Sequence, residues 1–139
     1  GFAAAEWAKH AEEWRANARA CKEMLFRTLS DSIPDVFVNG PAVERGAAHI
    51  LNMSIEGVRS EVLLHALEEK DVLVATGSAC SAHKKKISET LLALGLKEKR
   101  AESAIRFSFG PDNTPEEAAR AAGIVAECAE QLRMFRRRI

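Results

Sequence analysis

The sequence contains no tyrosine, and Phe and Trp together make up only 6% of it. That is too sparse for the aromatic platforms on which single-stranded nucleic acid stacks. Net charge is missing too. Twenty Lys+Arg balance twenty Asp+Glu, so no global field draws the chain to nucleic acid or to an anionic membrane surface. Cysteine is scarce and odd in number, at three, which gives no disulfide framework and fits a reducing compartment, the cytoplasm. Purely apolar runs extend only a few residues, which excludes a membrane-spanning helix. No glycine-rich phosphate cradle occurs, neither GxGxxG nor a P-loop. No basic stretch leads into an apolar one at the start, as a secretory signal would require. The first residue is Gly rather than Met, and the expectation is a piece of a longer protein.

What is present describes one compact domain: 139 residues, 47% apolar and 29% charged, a globular rather than a disordered composition. Trp7, Ala11, Trp14, Ala18, Cys21, Leu25 and Leu29 recur at 3–4 spacing with no Gly or Pro from Phe2 to Ile33, which predicts one long helix ending before Pro34. About 29 helical residues span ~43 Å, whereas a domain of this size is only ~37 Å across. The helix is therefore expected to overshoot its own domain. Val36–Val38, His49–Ile55, Val72–Val74 and Ala104–Phe109 read as short strands. Ser60–Glu69 reads as a helix, as does the stretch from an N-cap at Ser88 to Leu94, with Gly95 closing it. Thr114-Pro115-Glu116-Glu117 is a capping box with Pro at the first helical position. It opens a last helix whose stripe runs through Ala118, Ala122, Val125, Cys128, Leu132 and Phe135. The fold class is α+β: about four short strands, mostly antiparallel, packed with helices.

Chemistry concentrates at one place. Cys80 sits in Gly77-Ser78-Ala79-Cys80-Ser81, a run of small residues with no apolar period that reads as an exposed loop from Ala75 to His83. A thiol there is unshielded, and His83 with Lys84-Lys85-Lys86 supplies cations that favour the thiolate. Cys21 and Cys128 instead lie on helical stripes and read as core residues. Arg106 interrupts an apolar strand, and alternation puts it with Ser108 on the face opposite Ile105, Phe107 and Phe109. It is either part of a solvated face or a guanidinium that grips a carboxylate with two parallel hydrogen bonds. His65 lies near the apolar side of its helix and reads as a core histidine. Cys80-x-x-His83 finds no second pair with zinc-ligand spacing, so no metal site is expected.

Four segments in this order resemble the C-terminal part of the cysteine desulfurases, pyridoxal-phosphate enzymes related to class V aminotransferases. They are Leu51–Val58 with the following Glu61–Glu68 helix, Ala75–Ser81, Leu91–Leu96, and Ala104–Gly110 with Asn113-Thr114-x-Glu116-Glu117. The resemblance covers essentially the whole chain. It implies the small C-terminal domain of a fold-type I enzyme, with residues 1–32 forming the helix that links it to an absent cofactor-binding domain. It implies that Cys80 is the persulfide carrier, taking sulfur from L-cysteine and releasing L-alanine, and that Arg106 binds the substrate carboxylate. The sulfur would pass to an acceptor protein, an iron–sulfur scaffold or a tRNA-thiolating protein, and the full-length enzyme would be a homodimer. The family's Schiff-base lysine and its ring contacts have no match here. Pyridoxal phosphate is therefore expected in the full-length enzyme and not on this chain alone, which would be inactive by itself. The alternative is a stand-alone sulfur carrier or docking module without pyridoxal chemistry.

Overall fold

The computed structural model describes residues 1–77 and 87–137, the last two by backbone alone. Helix α1 (Phe2–Ser32) is followed by strands β1 (Val36–Val38) and β2 (Ile50–Ile55), helix α2 (Ser60–Glu68) and strand β3 (Ala75–Thr76). Short helices α3 (Glu89–Ala93) and α4 (Glu98–Ala101) lead to strand β4 (Ala104–Ser108) and helix α5 (Pro115–Arg137). The four strands form one antiparallel sheet in the order β1-β2-β4-β3. Among the described residues, no helix is long and apolar enough to cross a membrane.

One face of the sheet is the core. Leu51, Met53 and Ile55 of β2 and Ile105 and Phe107 of β4 point into it; on the opposite face Asn52, Arg106 and Ser108 are more exposed, whereas Ser54 and Ala104 are buried there as well. The two long helices cover this face and pack along each other, with α2 against α5. Helix α5 contributes Ala118, Ala122, Val125, Cys128 and Ala129. These small residues let its backbone approach α1 closely. The expected capping box forms: Glu117 N donates to Thr114 Oγ1 at 3.2 Å, and Thr114 N donates to Glu117 Oε2 at 3.0 Å. Ser88 caps α3 by accepting from Leu91 N, and Gly95 follows with φ of +83°.

Burial along helix α1 changes at Ala18. From Ala18 onward its stripe is buried, through Cys21, Leu25 and Leu29, whereas no residue before Ala18 is buried and Trp7 is 49% exposed. The same stripe therefore has two fates, set by whether sheet and α5 lie alongside it.

Four sequence expectations are corrected. The third strand is not Val72–Val74 but Ala75–Thr76, inside the stretch read as loop. Val72 N is occupied by Leu67 O, which closes the end of α2, and the free edge of β4 is met only three residues later. Helix α4 was not expected, because four residues, Glu98–Ala101, carry no measurable period. His65 is exposed rather than core, with Nδ1 3.0 Å from Glu68 Oε2. Phe135 ends the α5 stripe 66% exposed, one turn past the last core contact.

Candidate functional site

The sheet's second face is open to solvent near its centre, and Arg106 stands there. Pairing sets its neighbours: Asn52 of β2 lies directly across from it on one side and Ala75 of β3 on the other. Arg106 is exposed between buried Ile105 and buried Phe107, so the alternation read from the sequence holds. Among the described residues its guanidinium has no hydrogen-bond or ion-pair partner. A row of donors is thus presented on a strand with no acceptor for it among the described residues.

Beside it a polar cluster is fully ordered. Arg100 Nε donates to Asn39 Oδ1 at 3.1 Å and Nη2 donates to Val38 O at 2.9 Å, while the guanidinium lies 4.9 Å from the centre of the Phe37 ring. Asn39 Nδ2 donates to Asn52 Oδ1 and to Ser54 Oγ, both at 2.8 Å. Ser54 Oγ donates in turn to Arg100 O at 2.8 Å. Asn39 and Ser54 are buried, so these bonds offset the desolvation of groups that would otherwise be costly to cover. The sequence reading missed this cluster. Asn39-Gly40 registered as a turn, and Arg100 sits in the helix too short to detect. Asn52 was legible in principle, since it falls between Leu51 and Met53 and so had to face away from the core.

Cys80, His83 and Lys84-Lys85-Lys86 lie outside the described residues. The ends of their segment are described. Gly77 follows β3, and a Cβ placed on it would come within 2.7 Å of Ser88 Cβ. Chain leaving at Gly77 and returning at Ser88 is pinched at a neck only a side chain's absence permits, two residues from the partner of Arg106.

The other two thiols are withdrawn. Cys21 and Cys128 are buried, and burial pushes both thiols above the usual cysteine range. Cys21 Sγ donates to Asn113 O at 3.6 Å, and Cys128 Sγ to Ala66 O at 3.9 Å. Among the described residues, no group of three His, Cys, Asp or Glu side chains could hold a metal ion. The buried lysine, Lys22, gives its Nζ to Ala47 O at 3.0 Å and packs against Gly46.

Comparison with known proteins places this antiparallel sheet with its long leading helix. The family model for class-V aminotransferases matches residues 2–120, and the chain belongs to that family. Its relatives narrow the class. The chain is 42% identical over 115 residues to a cysteine desulfurase IscS of Edwardsiella ictaluri, covering 83% of this chain and 28% of that protein. It is 39% identical over 132 residues to a cysteine desulfurase IscS of Pseudomonas putida strain W619, covering 95% and 31%. The chain thus spans less than a third of the length of these curated relatives. The fold matches that of a NifS-like protein from Rickettsia africae with a TM-score of 0.72 at 22% identity, over 95% of this chain and 32% of that one.

Proposed function

We propose that this chain is the C-terminal domain of a cysteine desulfurase, with Cys80 as the thiol that takes up sulfur and Arg106 as the group that holds the substrate's carboxylate. The observation that supports this most directly is local. Ala75 pairs with Arg106 across the ladder, and Cys80 follows Ala75 by five residues in a segment closed at the Gly77–Ser88 neck. The chain that carries the nucleophile therefore starts from the strand that pairs with Arg106, which supports their acting on one anchored amino acid.

The balance of the step is simple. The sulfur of L-cysteine leaves its Cβ and bonds to Cys80 Sγ, the thiol becomes a persulfide, and the carbon gains a proton to give L-alanine. Pyridoxal phosphate, carried by the rest of a full-length enzyme, would supply the electron sink for that chemistry. Arg106 contributes position: a charge-assisted pair of hydrogen bonds fixes the carboxylate and so the direction of the thiol. An acceptor protein's thiolate, on an iron–sulfur scaffold or a tRNA-thiolating protein, then takes the outer sulfur as the S–S bond breaks, which returns Cys80 to its thiolate. The full-length protein is read as a cytoplasmic homodimer.

The test is Arg106→Lys in the full-length enzyme. Lysine keeps the charge and loses the fork, so KM for L-cysteine should rise roughly ten- to hundred-fold while cofactor content stays the same. An unchanged KM would return Arg106 to the role of a solvated surface residue. Cys80→Ser should bind L-cysteine yet release neither sulfide nor alanine. A wild-type chain that accepted persulfide sulfur as well without its larger partner domain would favour a stand-alone carrier instead.

A further inference from the structure

The direction of every hydrogen bond in the cluster beside Arg106 is fixed from one end. Arginine can only donate, so the atom of Asn39 that meets Arg100 Nε must be its oxygen. The other end of that amide is then its nitrogen, which donates to Asn52 and Ser54. Asn52 must receive that bond with its own oxygen, and its Nδ2 is left turned away from Asn39. Among the described residues no acceptor takes that nitrogen. Asn39 follows β1 on one side of β2, and Arg106 on β4 is the cross-strand neighbour on the other. Facing residues of this kind have Cβ atoms about 4.5–5.5 Å apart, close enough for two side chains to grip the same small anion.

We infer that Asn52 is a second anchor for the substrate carboxylate, its amide N–H donating alongside the Arg106 guanidinium, with Asn39 and Arg100 as positioning residues that keep it from flipping. This rests on the reading of Arg106 given above. The relay has a clear use. A free asparagine amide could present either its oxygen or its nitrogen, and the oxygen would repel a carboxylate. Holding Asn39 from Arg100 removes that choice before substrate arrives, so the site spends no binding energy on ordering it.

Asn52→Asp in the full-length enzyme separates this role from a structural one. Aspartate still accepts from Asn39 Nδ2, so the cluster can close, but it replaces the donor with a negative charge. KM for L-cysteine should rise at least about tenfold, with kcat within about twofold of wild type. If the aspartate variant is poorly folded, Asn52→Ser keeps an acceptor without the charge, and KM should rise about three- to tenfold. Arg100→Lys, which retains charge but loses the fork that orients Asn39, should raise KM in the same direction by a smaller factor. A lower unfolding midpoint with KM unchanged in the Asn52 variants would make the residue structural and overturn the inference. Arg106→Lys is measured beside them. A raised KM there with an unchanged KM for the Asn52 variants sinks only the second anchor, whereas an unchanged KM in all of them removes both.

Discussion

Three cysteines of identical chemistry differ here by where their neighbours stand. Burial lifts the Cys21 and Cys128 thiols above their ordinary range and also closes the path to them. Cys80 has only Gly, Ser and Ala beside it in sequence and cations three to six residues on. With substoichiometric iodoacetamide on the native protein, peptide mapping should find label on Cys80 well ahead of the other two. Equal labelling of all three would defeat the assignment. Lys22 offers a second measurement. Burial, with Arg19 nearby, lowers its amine below the usual lysine range. The folded chain then releases this proton at a lower pH than the unfolded chain does. Between those two points the unfolded state binds more protons, so stability climbs with rising pH up to about pH 10.4, the ordinary lysine value. Below that window the cost of burying the charge is present in full. Lys22→Met should therefore unfold at equal or higher urea than wild type at pH 7. Ala47 O keeps a bond from Ile50 N at 3.4 Å in that variant, and the wild type should gain on it as pH is raised toward 10. A wild-type advantage that is constant with pH would mean that Lys22 contributes through packing alone.

Elements were legible where a local signal coincided with a tertiary need. The Thr114–Glu117 box and the Ser88 cap are satisfied within four residues, so the sequence contains all of their determinants. The alternation of β4 was readable because its two faces meet different surroundings. The start of β3 was not, because Ala75 and Thr76 are a strand only by virtue of the edge that Arg106 and Ile105 offer them. Of the candidate site, Arg106 could be found as a charge in an apolar run, but Asn39 and Arg100 act through bonds spanning 61 residues that no local pattern announces. The Gly77 neck belongs to the same class, and it yields a prediction. Gly77→Ala puts a methyl carbon where Ser88 Cβ already lies, 2.7 Å away, and must push the α3 cap outward. Amide exchange at Leu91, whose N–H donates to Ser88 Oγ, should accelerate several-fold, and losing the cap costs about 0.5–2 kcal/mol. Unchanged exchange at Leu91 would show that the neck can yield without disturbing the helix.

The molecule as a whole divides along α1. The helix's C-terminal half is inside the core, while its first 16 residues hold Phe2, Trp7 and Trp14 outside it. Trp7 and Trp14 pack on each other with centroids 5.6 Å apart, and His10 stacks on Trp14 at 5.3 Å. Those contacts are internal to the helix. Truncation should therefore have opposite outcomes in its two halves: Leu25→Ala should cost about 2–5 kcal/mol, and Trp7→Ala less than about 0.5 kcal/mol, both read from urea unfolding of this chain. A large loss from Trp7→Ala would mean that the exposed half folds back on the domain.

The strand order carries one more consequence, in time rather than in space. Strand β4 is last in sequence yet sits between β2 and β3, so both must wait for it. A nascent chain emerging from the ribosome exposes the Ile50–Ile55 edge with only β1 beside it until Ala104 has been made, more than 45 residues later. Closing that separation is slow compared with forming α1. During the interval the open β2 edge is the surface on which a second growing chain would pair most readily, and a chaperone that guards this protein would have to shield it.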